Sequence, residues 1–338
     1  MTNDLMSIFA GKKVLITGGT GSLGQALTER ILNSDVEQIR ILSRNEFKQI
    51  SMETKLPDER LRFLIGDVRD KDRLIRALDD VDIVFHAAAL KHVPKVEYNP
   101  FEAIKTNVQG SQNVIDACLE NDVQRAICIG TDKAVSPLNT YGATKLLMEK
   151  LFITAKRYSN PKKHPTKFLA VRYGNVFGSS GSVIPKFIGQ INNNEKITIT
   201  DPTMTRFSIT MNQALDFILK ATQKGHGAEV FIPKLKAYSL QQIHDILSNL
   251  TNAKDHEIIG MRTGEKQHEL LINSDEMRDA WSYDNMFVLL NELHESENLE
   301  EVYPGIKKIE DLDVYSSAKT QQLSTEEITE NIKDLQLL

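Results

Sequence analysis

The stretch KKVLITGGTGSLGQALTER, residues 12–30, decides how the rest of the chain reads. An apolar run, Val14-Leu15-Ile16-Thr17, enters a glycine-rich turn, and an amphipathic segment leaves it. Gly19-x-Gly21-x-x-Gly24 fits the dinucleotide fingerprint, and Gly18-x-x-Gly21-x-x-Gly24 fits its close variant. Glycine lets the backbone turn sharply and approach a pyrophosphate, and the last glycine lets helix and strand pack closely. The anion then rests on free N–H groups at a helix N-terminus. A strand before the turn and a helix after it give the motif the context it requires. Thr17, Gly18, Gly19, Thr20, Gly21, Ser22, Leu23 and Gly24 are therefore the expected pyrophosphate site.

Working outward, the same strand-then-helix pattern recurs. Apolar runs fall at 12–18, 39–44, 61–68, 82–87, 125–131 and 167–173. Several lack polar alternation, as strands buried on both faces of a parallel sheet do. Helix-like stretches lie between them, including Ser22–Leu32, Asp72–Leu78 and Phe101–Glu120. Such alternation predicts an α/β, doubly wound parallel sheet of the Rossmann type. After Tyr173 the rhythm breaks at Gly174, Gly178, Gly181, Pro185 and Pro202. The expected organisation is a dinucleotide domain over 1–174, with 207–232 packing back on it. A smaller, discontinuous substrate domain takes 175–206 and 233–338. The Glu-rich end near 315–338 is expected to pack loosely.

About 20 residues past the glycines, the second strand should end in the group that reads the adenosine ribose. Here stand Ser43-Arg44-Asn45, with Lys48 one helical turn on. A guanidinium offers a planar fork to a 2′-phosphate, which favours NADP over NAD; that Arg44 and Lys48 merely flank a surface helix stays open. Asp67-Val68 ends the third strand, where Asp67 either takes an adenine amino group or simply precedes a turn.

Tyr141 and Lys145 are four residues apart, one helical turn on the same face. A neighbouring ammonium lowers a tyrosine pKa, so that the phenol can take a hydroxyl proton while hydride leaves the same carbon.

With the Thr17–Gly24 turn, His86-Ala87-Ala88-Ala89, Thr106-Asn107-Val108-x-Gly110-Ser111-x-Asn113 and the Tyr141/Lys145 pair, the chain resembles the extended short-chain dehydrogenase/reductases acting on nucleotide sugars. The resemblance reaches to about residue 275. It implies that Ala87, Ala88, Lys91 and Thr131 also touch the cofactor. Thr131-Asp132-Lys133 resembles the inverting 4,6-dehydratase branch, as do residues 89–94, 172–176, 204–207 and 262–266, with Thr263 standing where the branch often has proline. The resemblance implies UDP-N-acetylglucosamine as substrate, a surface glycan of the pseudaminic acid type as destination, and self-association into a homo-oligomer. The chemistry of such a dehydration needs an acid and a base beside the redox pair: Asp132 is the expected acid and Lys133 the expected base, a role that needs a largely neutral amine, which partial burial and neighbours such as Lys145 favour. Sugar-nucleotide contacts are expected from Lys91, Tyr173, Asn175, Gly178, Ser179, Ser182 and Val183. Arg206 and Arg262 are expected on the diphosphate.

Forty-six acidic against 41 basic side chains leave a charge of −5, unlike the basic balance of a dedicated nucleic-acid binder. No stretch approaches the roughly 20 apolar residues of a membrane span, and the first residues do not read as a secretory signal. Cys118 and Cys128 read as core residues of a reducing, cytoplasmic compartment. Of the eight histidines, His86 and His92 lie near the expected site without a partner at metal-ligand spacing, so no metal is expected.

Overall fold

The computed structural model describes residues 5–157, 163–179, 182–251, 255–294 and 298–335. The apolar runs form six strands: β1 Lys13–Thr17, β2 Gln38–Ser43, β3 Leu61–Ile65, β4 Ile83–His86, β5 Arg125–Ile129 and β6 Lys167–Val171. They lie in the order β3-β2-β1-β4-β5-β6, every pair parallel. Alternate side chains feed opposite faces. Val14, Ile16, Ile41, Phe85 and Ile127 join Leu27, Ile31 and Leu215 in one core. Leu15, Leu42, Val84, Ala126 and Cys128 join Leu74, Val114 and Phe152 in the other. Two covered faces explain why β4 is buried throughout, while the edge strand β3 is half exposed. The fold is the doubly wound α/β sheet that the strand–helix rhythm predicts. Strand order reverses between β1 and β4, and there the loops beyond the carboxyl ends part to leave a crevice.

Phe101–Glu120 is not one regular helix. Pro100–Ala103 and Gly110–Glu120 are α-helical, and Ile104–Gln109 between them is a π-turn. Ser111 Oγ donates to the Asn107 carbonyl at 2.5 Å, an i−4 bond that Thr28 and Thr222 also make inside regular helices. The distortion sets Asn107 against the loop after β4: its Oδ1 accepts from Leu90 N at 2.7 Å, and its Nδ2 donates to Leu90 O at 3.0 Å.

Residues 207–209 still pair within a small three-stranded sheet, so the expected return at 207 comes only from Met211 onward. Met211–Lys224 packs beside Ser22–Ile31, where Arg30 pairs with Asp216. Val230–Pro233 adds a parallel strand against β6. The expectation that all of 233–338 lies with the smaller part needs correction. Ala280–Tyr283 and Met286–Leu289 form a hairpin that pairs antiparallel with Val230–Pro233, and Lys307–Lys308 pairs with its outer strand. Asp284 and Asn285 at its tip have φ of 47° and 61°, as a two-residue primed turn requires. Met286–Leu289 is buried throughout, so these residues extend the large sheet.

The smaller part has its own apolar centre, with Phe177, Ile184, Phe187, Ile243, Leu247, Ile328 and Ile332 among its members. Asn175–Val176, Thr205–Ile209 and Ala237–Ser239 form a three-stranded sheet beside it. The Glu-rich end does not pack loosely over Thr325–Asp334. That helix starts with a reciprocal Ser324/Glu327 capping box and buries Ile328 and Ile332, so a glutamate there serves as a cap. Among the described residues, no helix is long and apolar enough to cross a membrane.

Candidate active site

One cleft of about 1170 Å³ runs along the carboxyl ends of the strands and between the two parts. It exceeds the roughly 300–1,000 Å³ of a pocket for one small ligand. At one end it is lined by Gly18, Thr20, Gly21, Ser22, Leu23 and Gly24. Gly18 has φ +67°, and a Cβ on it would lie 2.8 Å from Ala88 N. A Cβ on Gly24 would lie 2.5 Å from both Gly19 Cα and O. The turn is thus pressed against β4 on one side and its own helix on the other, leaving the N-terminal N–H groups of Ser22–Ile31 toward the cleft. This is a fit for a dinucleotide pyrophosphate. Thr17 and Gly19 do not line the cleft: Thr17 bonds His86 Nδ1 at 2.7 Å behind it, and Gly19 is covered by Gly24.

Ser43, Arg44, Asn45, Lys48, Asp67 and Val68 line the adjoining end. Asn45 Oδ1 accepts from Lys48 N at 2.9 Å, which starts the helix Glu46–Lys55. Arg69 grips Asp67 through Nε at 3.0 Å and Nη2 at 2.6 Å. Burial pushes the Asp67 carboxyl upward, but the Arg69 hydrogen bonds hold it below the usual carboxylate range. Arg44 reaches Asp67 only at 3.7 Å, and 54% of its side chain is exposed, so its fork is open to an anion.

The middle of the cleft brings together Ala87, Ala88, Lys91, Thr131, Lys133, Tyr141, Lys145, Tyr173 and Asn175. Thr131 follows β5, and its hydroxyl donates to Asp132 Oδ1 at 2.9 Å. Lys133 Nζ donates to the same oxygen at 3.0 Å and to Asn175 Oδ1 at 2.9 Å, with Glu269 Oε1 at 3.7 Å. An ammonium has three donors and no acceptor, and here it faces three acceptors. Burial works against its charge, but Asp132, Glu269 and Tyr141 outweigh it and raise Lys133 well above the ordinary lysine value. The neighbours that the fold supplies therefore favour the paired ammonium, and a base at this position has to give up that proton first. Asp132 is fully buried and does not line the cleft, and its Oδ2 has no hydrogen-bond partner. It reaches the cleft through Thr131 and Lys133.

Tyr141 and Lys145 share the helix Thr140–Thr154, capped by Asn139 Oδ1 accepting from Gly142 N at 2.8 Å. Lys145 Nζ turns to the Ile129 carbonyl at 2.6 Å, and burial holds it below its ordinary value. Burial pushes the Tyr141 phenol up, against the downward pull of Lys133 and hydrogen bonding with Thr131. Both side chains line the cleft, and Lys133 adds a second cation beside the phenol. His86 is a core residue: its Nε2 meets Ser111 Oγ at 3.0 Å, and burial pushes it down to about 3. Among the described residues, no three His, Cys, Asp or Glu side chains cluster as metal ligands would.

The far end is lined by Ser179, Ser182, Val183, Arg206 and Arg262, together with Lys186 and Lys266. Ser182 caps the helix Val183–Asn192, and its buried hydroxyl has no partner. Burial, then Arg262, lower Lys186 below its ordinary value, so cations converge there. Gly178 lies outside the cleft: its φ is +70°, and a Cβ on it would meet Leu335 at 2.2 Å. Ser180 and Gly181 of the same loop lie outside the described residues. Sequence reasoning did not single out Lys186, Lys266 or Glu269. Lys266 closes the quoted Arg262–Lys266 stretch and Glu269 follows it, but only the fold brings them to Lys133.

Residues 14–291 match the family described as polysaccharide biosynthesis protein. The chain is 47% identical to a UDP-N-acetylglucosamine 4,6-dehydratase (inverting) of Campylobacter jejuni, over 83% of this chain and 84% of that one. It is 42% identical to a UDP-glucose 4-epimerase of Rickettsia bellii, over 97% of each. The solved structure of Pen from Bacillus thuringiensis is similar with TM-score 0.89 and 38% identity, covering 98% of this chain and 99% of that one. A dTDP-glucose 4,6-dehydratase, DesIV from Streptomyces venezuelae, solved with NAD and TYD bound, shares the fold at TM-score 0.68 and 20% identity, over 75% of this chain and 86% of that one.

Proposed function

The chain belongs to the polysaccharide biosynthesis protein family, and from that premise we propose that it is an NADP-dependent dehydratase of UDP-N-acetylglucosamine that inverts carbon 5 and feeds surface-glycan synthesis of the pseudaminic acid type. The observation that carries this reading is Lys133 on the cleft wall, hydrogen-bonded to Asp132 beside Tyr141. Arg44 and Lys48 would hold the 2′-phosphate, Gly18–Gly24 the pyrophosphate, and Tyr141 and Lys145 the nicotinamide end. When bound, that cofactor supplies a hydride acceptor at carbon 4 and a hydride donor at carbon 6.

Tyr141 takes the carbon 4 hydroxyl proton, its phenolate favoured by the Lys133 ammonium. The resulting ketone acidifies the proton on carbon 5. Elimination then needs a base at carbon 5 and an acid at the carbon 6 hydroxyl. Asp132 and Lys133 share one proton along a 3.0 Å hydrogen bond. Its transfer to the carboxylate creates the amine base and the carboxylic acid together, with no change in net protonation. The amine takes the carbon 5 proton, and the acid proton passes outward through the Thr131 hydroxyl to the departing water. Carbon 5 is inverted when a proton from a donor other than Lys133 is delivered to the opposite face. The proton that Lys133 took restores the starting ammonium, and Tyr141 releases its own to solvent. Arg206, Arg262 and Lys186 suit the diphosphate. Buried Cys118 and Cys128 suit a reducing cytoplasm. Tyr98, Phe101, Ile104 and Leu147, exposed on adjoining helices, support self-association.

The 4-epimerase relative supports a second reading, in which carbon 6 is untouched. NMR of the product from UDP-N-acetylglucosamine decides: a 6-methyl, 4-keto sugar of L-arabino configuration is expected, and an intact carbon 6 hydroxymethyl refutes dehydration. Tyr141→Phe and Lys133→Ala should each slow turnover by about 100- to 10,000-fold, and full activity in Lys133→Ala would remove the base assignment.

A further inference from the structure

Glu269 is 4% exposed yet lines the cleft. It follows the Arg262–Lys266 loop, which lies over the residues after β5. Asn139 Nδ2 donates to the Gly264 carbonyl at 2.8 Å, and Lys266 Nζ donates to the Val135 carbonyl. Glu269 is held from both sides of its backbone: its N–H donates to Ser317 Oγ at 2.9 Å, and its carbonyl accepts from Ser317 N at 2.9 Å. Two residues on, the Leu271 carbonyl accepts from the buried Arg172 at 2.9 Å. The carboxylate so fixed places Oε1 at 3.7 Å from Lys133 Nζ and 3.8 Å from Arg206 Nε. Its Oε2 is buried without a hydrogen-bond partner. A buried carboxylate with one oxygen unsatisfied is costly unless its charge is used.

We propose that Glu269 is a positioning residue for the Asp132–Lys133 pair, holding the Lys133 amine from a third side and retaining the proton that the pair shares. The inference rests on reading that pair as the elimination acid and base. The charged and titratable groups facing Lys133 are Asp132 and Tyr141 from its own domain, Glu269 and Lys266 from the returning segment, and Tyr238 beside Arg206. Asn175 is the neutral contact. Of these, Glu269 and Asp132 are the carboxylates, and Glu269 has the longer contact with Lys133. With Asp132 accepting the transferred proton, the Glu269 carboxylate remains the second acceptor beside the amine and opposes loss of the shared proton to solvent.

The test uses the full chain and Glu269→Gln, which keeps the shape and removes the charge, with Glu269→Asp as the conservative partner. An opposite charge at this distance shifts a titration by about 1–3 pH units. The alkaline limb of the kcat profile, which reports loss of the shared proton, should therefore move at least about 1 unit lower in Glu269→Gln, with KM for the sugar nucleotide little changed. Competitive acylation of Lys133, followed by mass spectrometry against exposed lysines, should run about tenfold faster or more, because the free-amine fraction rises tenfold per unit. Glu269→Asp should lie near wild type in both. A purely structural Glu269 would lower melting temperature while leaving limb and acylation rate in place, and that result overturns the proposal. If wild type left UDP-N-acetylglucosamine unchanged, the dehydratase reading would fall, while acylation of Lys133 would still decide the role of Glu269.

Discussion

Replacing Glu149 by Gln tests how the catalytic helix is held. Arg172, with no exposed surface, follows β6 and spends all five of its N–H donors. Nε and Nη2 donate to Glu149 at 3.0 and 2.5 Å, Nη1 and Nη2 donate to Glu276 at 3.0 and 2.9 Å, and Nη1 donates to the Leu271 carbonyl at 2.9 Å. Glu149 lies two turns beyond Tyr141 on the same helix. Leu271 and Glu276 follow Glu269, and Arg172 adjoins Tyr173 and Asn175. One guanidinium thus ties three walls of the cleft together. Breaking a buried pair from one side costs about 3–5 kcal/mol, since the remaining charge stays buried. For a chain of 338 residues, an unfolding entropy of about 0.7 kcal/mol/K makes that a fall of roughly 4–7 °C in Tm. Calorimetry at neutral pH is the assay. A Tm within 1 °C of wild type would refute the claim that Arg172 depends on Glu149. The pH dependence has a definite sign. Although burial pushes Glu276 upward, Arg172 holds it below the ordinary 4.5. Its stabilisation is therefore full above that value in the unfolded chain and is lost as pH falls through the lower folded value. Glu276→Gln should flatten the acid loss of stability below about pH 4.5 and lower stability at neutral pH.

Two other substitutions test the cofactor end. Gly24→Ala puts a methyl 2.5 Å from the backbone of Gly19, where no flexible side chain can yield; calorimetric titration should show NADP affinity at least about tenfold weaker, and an unchanged Kd would mean that the turn does not set the pyrophosphate site. Arg44→Ser removes the fork proposed for the 2′-phosphate; NADP should bind about 10- to 100-fold more weakly while NAD changes little, and an equal loss for both would show that Arg44 does not read the 2′-phosphate.

The dinucleotide half was legible because its signals are local. Val14–Thr17 is apolar without alternation, and Gly18–Gly24 follows at once, so strand, turn and helix are read within about a dozen residues. The hairpin at 280–289 carried a signal too, with Asp284-Asn285 between Ala280–Tyr283 and Met286–Leu289. What it lacked was an address: its partner strand lies some 50 residues earlier, at Val230–Pro233. The π-turn at Ile104–Gln109 was hidden for a different reason. A regular helix also accommodates that sequence, and nothing local marks the turn that sets Asn107 against Leu90, 17 positions earlier.

The centre of the site shows where spacing stops being informative. A spacing of four positions from Tyr141 to Lys145 aligns two Cβ vectors, but the lysine is long enough to turn away and settles on the Ile129 carbonyl. Asp132 and Lys133 are adjacent, yet a 3₁₀ turn buries one and leaves the other on the cleft wall. What fixes the state of Lys133 is a count of charges, and part of that count comes from Glu269, more than 130 positions away in the chain. A lysine read from its neighbours in sequence looks like a free base. The same lysine between two carboxylates is held toward its ammonium form, so under the proposed mechanism the chemistry of this centre would belong to the group of three rather than to any one residue in it.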